Sequence, residues 1–138
     1  MLLATLLILA GPHPVHAHGE ATIIVRASRA RPAIERILKA DNLRVDLLSP
    51  AEVAARMEEI EQGAAPDDFW TAYLAHVRAW RAYATAIARS RGSVARDPDK
   101  RATLAVVEAR IAINSSFDLV EMQARRYGAR LPARSTAR

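Results

Sequence analysis

From Pro66 to Gly92 the apolar residues recur at three- and four-residue spacing, the period of a helix that buries more than one face. At about 100° per residue, Phe69, Tyr73, His76, Val77, Trp80, Tyr83, Ala84 and Ile87 share one side. Ala72, Ala75, Ala79, Ala82 and Ala86 line another, and Arg78, Arg81 and Arg89 fill the remaining sector. Asp67 and Asp68 sit in the first turn and Arg89 and Arg91 in the last, as the helix dipole favours. A helix with two apolar faces belongs at the centre of a bundle, or buries one face in its own fold and the other in a partner. The Ala face admits a close second helix, including one from another copy. A bulky Ala79→Leu is therefore expected to disturb assembly more than folding.

Three further helices are predicted around it. Pro32 fits a first helical turn, so a short helix is expected from Pro32 to about Ala40, with Ile34, Ile37 and Leu38 inward and Asp41-Asn42 at its end. Leu43, Val45 and Leu47 alternate with Arg44 and Asp46, the period of an extended segment lying across a core. Ser49-Pro50-Ala51-Glu52 is a capping-box start; that helix should run to about Gln62, stop at Gly63, and turn Val53, Met57 and Ile60 inward. Glu58, Glu59 and Glu61 read as its solvated face. The last helix is expected to start at Asp97-Pro98 and end at Tyr127, with Gly128 as the stop. Val106, Ala109, Ile113, Phe117, Val120, Ala124 and Tyr127 form one stripe, and Leu104, Val107, Ile111 and Met122 another; Asn114-Ser115-Ser116 marks a place for a bend. The expected fold is all-α, a small bundle of about four helices whose last two are long and pair as an antiparallel hairpin across the linker at Gly92 to Arg96.

Composition narrows the chemistry. In 138 residues there is no Cys, which excludes a disulfide scaffold, thiolate metal sites and a thiol nucleophile. Residues 2–10 are a nine-residue apolar run, and Val15 and Ala17 occupy the minus-three and minus-one positions of a cleavage site. The expectation is a signal peptide over residues 1–17, a helical domain over 18–128, a basic flexible tail over 129–138, and a periplasmic or secreted location. The n-region is Met1 alone, which leaves an uncleaved membrane tether and an ordinary buried helix as alternatives. Nine residues are too short to span a bilayer.

The formal net charge is +5, and from Arg125 onward there are five Arg and no acid. Such a tail can adhere to anionic lipid. No basic, aromatic-interleaved strand or reading helix is present, so nucleic acid is not an expected partner. Arg outnumbers Lys eighteen to two, so the tail also fits a bias of the whole chain.

Few residues could carry catalysis. Ser115 or Ser116 with Asp118 and His76 are the residue types of a hydrolytic triad, without the strained turn that exposes a nucleophile. A bundle dimetal site needs a carboxylate three residues before its His, and that position is Tyr73. The five glycines are too scattered for a phosphate loop. The expected function is thus a non-catalytic binding or assembly module. Its candidate ligand- or partner-binding residues are Phe69, Tyr73, His76, Trp80 and Tyr83.

Cleavage after Ala17 would leave His18 at the N-terminus, where its amine and ring, with the His76 imidazole, supply the three nitrogens that suit copper(II). That set resembles the histidine brace of copper-dependent polysaccharide monooxygenases and of some periplasmic copper carriers, and His16-Ala17-His18-Gly19 is similar to their leader junctions. The resemblance implies copper on His18 and His76 as the alternative function. It also implies a β-sandwich, for which this chain shows no strand pattern.

Overall fold

A computed structural model describes the backbone of residues 17–93 and 101–133, with side chains over 29–91 and 102–133. The apolar run over 2–10, the start signal at Asp97-Pro98 and the end of the basic tail lie outside the described residues. Four helices follow one another: α1 (Ala17–Ala40), α2 (Pro50–Glu58), α3 (Asp67–Ser93) and α4 (Arg101–Arg126). No strand occurs among the described residues, and the protein is an all-α, small helical bundle. No described helix is long and apolar enough to cross a membrane.

Two expectations fail at the N-terminal side. Pro32 does not open α1 but lies inside it, because the helix begins at Ala17. A proline there removes one backbone donor, a cost of about 3 kcal/mol that a long helix with a docked second half can carry. Ile34 and Ile37, both fully buried, and the buried Leu38 supply that docking. The segment after α1 is not extended. The Leu43 N–H bonds the Asp41 carbonyl, Val45 N–H the Leu43 carbonyl and Leu47 N–H the Arg44 carbonyl, a run of tight turns. Turning breaks the alternation, so Leu43 and Leu48 reach the core while Val45 and Leu47 stay exposed.

α2 starts as its sequence dictates. The Glu52 N–H donates to Ser49 Oγ, the Ser49 N–H donates to the Glu52 carboxylate at 2.7 Å, and Pro50 follows the cap. The helix stops at Glu58, one turn before the expected end, and Val53, Ala54 and Met57 are buried. Glu58 is not merely solvated, since the Arg81 guanidinium of α3 donates to its carboxylate. Both groups are largely exposed, so the pair fixes register more than it stabilises.

α3 packs along α4 and against α2. Its expected inward stripe is buried at Phe69, Tyr73, His76 and Val77 and half-buried from Trp80 onward. Its Ala face is not a spare surface throughout: Ala72 belongs to the core and Ala79 is 8% exposed. Ala79→Leu would therefore strain the fold itself, which corrects the expectation that it acts mainly on assembly. On α4 the expected stripe closes the core through Ile113, Val120 and Ala124, while Leu104, Val107, Ile111 and Met122 remain about half exposed.

The end of α4 is set by Gly128, whose φ of +67° is cheap only for glycine. The Ala129 N–H reaches back to the Ala124 carbonyl at 3.0 Å and the Gly128 N–H to the Arg125 carbonyl at 2.9 Å, a Schellman pair. The turn brings Ala129 and Leu131 against the core, so packed structure continues past the expected boundary at residue 128. The Glu35 carboxylate accepts the Arg130 backbone N–H at 2.9 Å, and that bond first, then Arg31, holds it below the usual carboxylate range. Gly128→Ala is expected to cost about 1 kcal/mol, since a Cβ meets no atom there and only the backbone conformation is strained. Urea denaturation measures it, and an unchanged midpoint would mean this turn is not maintained in solution.

Candidate functional site

The loop after α1, the second turn of α2 and the middle of α3 and α4 leave an open cleft of about 440 Å³. Asp41 and Asn42 stand on the loop, His76 and Trp80 on α3, and Asn114, Phe117 and Asp118 on α4. Val53 and Met57 of α2 and Ile113 of α4 supply apolar wall. The cleft is open to solvent and its lining mixes polar and apolar groups.

His76 has a defined protonation state. Trp80 Nε1–H donates to its Nε2 at 3.3 Å, so Nε2 carries the lone pair and Nδ1 the proton. That Nδ1–H faces Ser116 Oγ at 2.9 Å, and the Ser116 hydroxyl donates to the Ile113 carbonyl at 3.0 Å. Burial pushes the imidazole down to about 4, against a smaller opposing effect of the Ile113 carbonyl, so the ring is neutral above pH 5. The Phe117 ring lies 5.2 Å away, centroid to centroid. The partner of the His76 Nδ1 is a serine 40 residues away in the chain.

That polarity bears on the triad residue types. Ser116 accepts a hydrogen bond from His76 and donates its own hydrogen to the Ile113 carbonyl, so in this arrangement the imidazole is not placed as its base. Both ring nitrogens of His76 are also engaged, so copper there would have to displace Trp80 or Ser116. His18 is the second residue of α1, and its side chain lies outside the described residues. Among the described residues no group of three or more His, Asp and Glu is placed to hold a metal.

The candidate residues from the aromatic stripe divide into two sets. Phe69 and Tyr73 are fully buried and form the core, so they offer no surface to a ligand or partner. Tyr83 is half-buried and packs its ring edge against Trp80 at 6.1 Å, one turn beyond the cleft. His76 and Trp80 are the members that line the cleft.

The residue that sequence reasoning missed is Asp41, read as the end of a helix. Its Oδ1 accepts from the Tyr73 hydroxyl at a long 3.4 Å, and that hydroxyl is equally far from the Met57 carbonyl. Burial pushes the Asp41 carboxyl up to about 7, with the Tyr73 bond opposing it. The same burial, together with the Asp41 charge, drives the Tyr73 hydroxyl above its ordinary value. A perturbed carboxyl on the wall of a cleft makes Asp41 a candidate functional position. Only its place beside Pro32–Ala40 was visible in sequence, and nothing local foretold Tyr73 as its neighbour. In comparisons with protein-family models, curated proteins and solved structures, nothing matches this chain.

Proposed function

We propose that this protein is an exported, non-catalytic binding module and that its binding element is the cleft between the α1–α2 loop, α3 and α4. The observation that carries this reading is the cleft of about 440 Å³ walled by Asp41, His76, Trp80 and Phe117. A volume of this order suits a ligand of modest size, and the neutral, fully engaged His76 makes a wall and not a base. Export is supported by the apolar run over 2–10 and the small residues before His18; a cut there would leave α1 whole apart from Ala17. In this reading α3 and α4 form the antiparallel hairpin that holds the two longer walls. Supporting it, Asp68 at the start of α3 accepts from the Tyr127 hydroxyl beyond α4 at 2.8 Å, while His76 meets Ser116 midway.

Assembly is the second reading, favoured by the outer stripe of α4, where Leu104 and Ile111 are more than half exposed. Native mass spectrometry of the full-length gene product, recovered separately from the periplasm and the cytoplasm, tests export and assembly together. A mature mass beginning at His18 is expected, and an uncleaved cytoplasmic product would overturn export. A dimer would bring the α4 stripe to the front, whereas a monomer leaves the cleft as the working surface.

A further inference from the structure

We propose that the cleft takes a small organic cation, an ammonium group carried on a flat apolar body, with the Asp41 carboxylate as its counter-ion and Trp80 and Phe117 against the apolar part. This rests on the cleft being the binding element.

The first ground is charge. The chain carries 20 Lys and Arg, yet among the described residues the cleft is lined by two carboxylate residues, Asp41 and Asp118, and by no Lys or Arg. An anion would meet Asp41 with no basic group in the lining to balance it. The second ground is pairing. Asp41 is half-buried on the cleft wall, where its side-chain partner is the Tyr73 hydroxyl at 3.4 Å, too long to replace the water a carboxylate loses. A cation in the cleft would supply the missing partner. The third ground is the wall itself, since the indole of Trp80 and the phenyl ring of Phe117 line the cleft and aromatic rings favour both an apolar body and a cation. Asn42 and Asn114 add carbonyl acceptors for the remaining ammonium hydrogens. A bare divalent ion fits less well, because it needs about six oxygen ligands and no cluster of three candidate side chains is present among the described residues.

The test uses the full chain at pH 8, where Asp41 is ionised, and three probes of one shape: benzylammonium, benzyl alcohol and benzoate. Binding is read from the indole N–H resonance of Trp80, which the bond to His76 fixes in the cleft wall. Benzylammonium is expected to bind about tenfold or more tightly than benzyl alcohol, with benzoate weaker still. Asp41→Asn is expected to lower the benzylammonium affinity by about tenfold while leaving benzyl alcohol unchanged. Equal binding of the ammonium and the alcohol, or undiminished ammonium binding by Asp41→Asn, would overturn the cation and leave the cleft as a binding element. No response of Trp80 to any probe would remove the cleft and the proposed function with it. The comparison of the three probes on the unaltered chain stands whether or not the variant folds.

Discussion

Asp41→Asn is expected to raise the melting temperature at pH 8 by several degrees and to leave it unchanged at pH 4. The carboxyl is held near 7 in the folded protein against about 3.8 in an unfolded chain, so folding retains its proton. Below pH 4 both states are protonated and nothing is lost. Between pH 4 and 7 the unfolded chain releases a proton that the folded protein keeps, and stability falls as pH rises. Above pH 7 the full cost is present, at most about 4 kcal/mol for a shift of this size. Asparagine keeps an oxygen for the Tyr73 hydroxyl and has no charge to bury, so the variant escapes that cost.

His76 acts in the opposite sense over nearly the same range. Its folded value near 4 lies below the ordinary 6.5, so acidification charges the unfolded chain first and stability falls as pH drops from 6.5 to 4. In the unaltered protein the two groups largely cancel between pH 4 and 6.5. In Asp41→Asn the His76 contribution stands alone, and stability should climb by about 3 kcal/mol across that window. Thermal melts of both proteins at half-unit pH steps give the difference curve directly, with contributions shared by both chains removed. A difference that is flat in pH, or a variant less stable at pH 8, would show that Asp41 is not buried as described. Such a penalty is what the proposed role of Asp41 as the counter-ion of a ligand would require it to carry.

Phe69→Ala is expected to cost about 3–5 kcal/mol, enough to unfold a marginal domain at room temperature. Phe69 is fully buried in the one core cluster, which draws Ile34, Ile37 and Leu38 from α1, Val53 and Met57 from α2, and Val120 and Ala124 from α4. Its ring is the first large side chain of α3, and removing it leaves a void in the core. Urea denaturation followed by far-ultraviolet circular dichroism measures the loss. A loss below about 1 kcal/mol would mean that the start of α3 is not docked in the core.

How much of this could be read beforehand follows from the range of each interaction. The cap of α2 lies within four residues, Ser49 to Glu52, and its sequence names both halves of the reciprocal bond. The inward faces of α3 and α4 repeat every three or four residues, so Phe69, Tyr73, Val77, Ile113, Val120 and Ala124 declare their burial by spacing alone. The stop at Gly128 is likewise local, because one left-handed residue closes the Schellman pair.

Local rules failed where tertiary contacts outweighed them. Pro32 reads as a helix start, yet Ile34 and Ile37 dock one side of α1 and the helix continues back through it. Leu43, Val45 and Leu47 alternate as a strand would, but with no partner strand the backbone satisfies itself in tight turns. The cleft belongs to the same class. Periodicity places His76 and Trp80 on one face but cannot say that Ser116 of α4 will accept a hydrogen bond from the imidazole, or that Asp41 will end beside Tyr73, 32 residues on. The sequence by itself determined the cap of α2, the stop at Gly128 and the buried faces of α3 and α4, because those depend on neighbours within a turn or two. The tertiary structure alone decided which titratable groups share a wall and lose their water, because desolvation is a property of the packed chain and not of any segment of it.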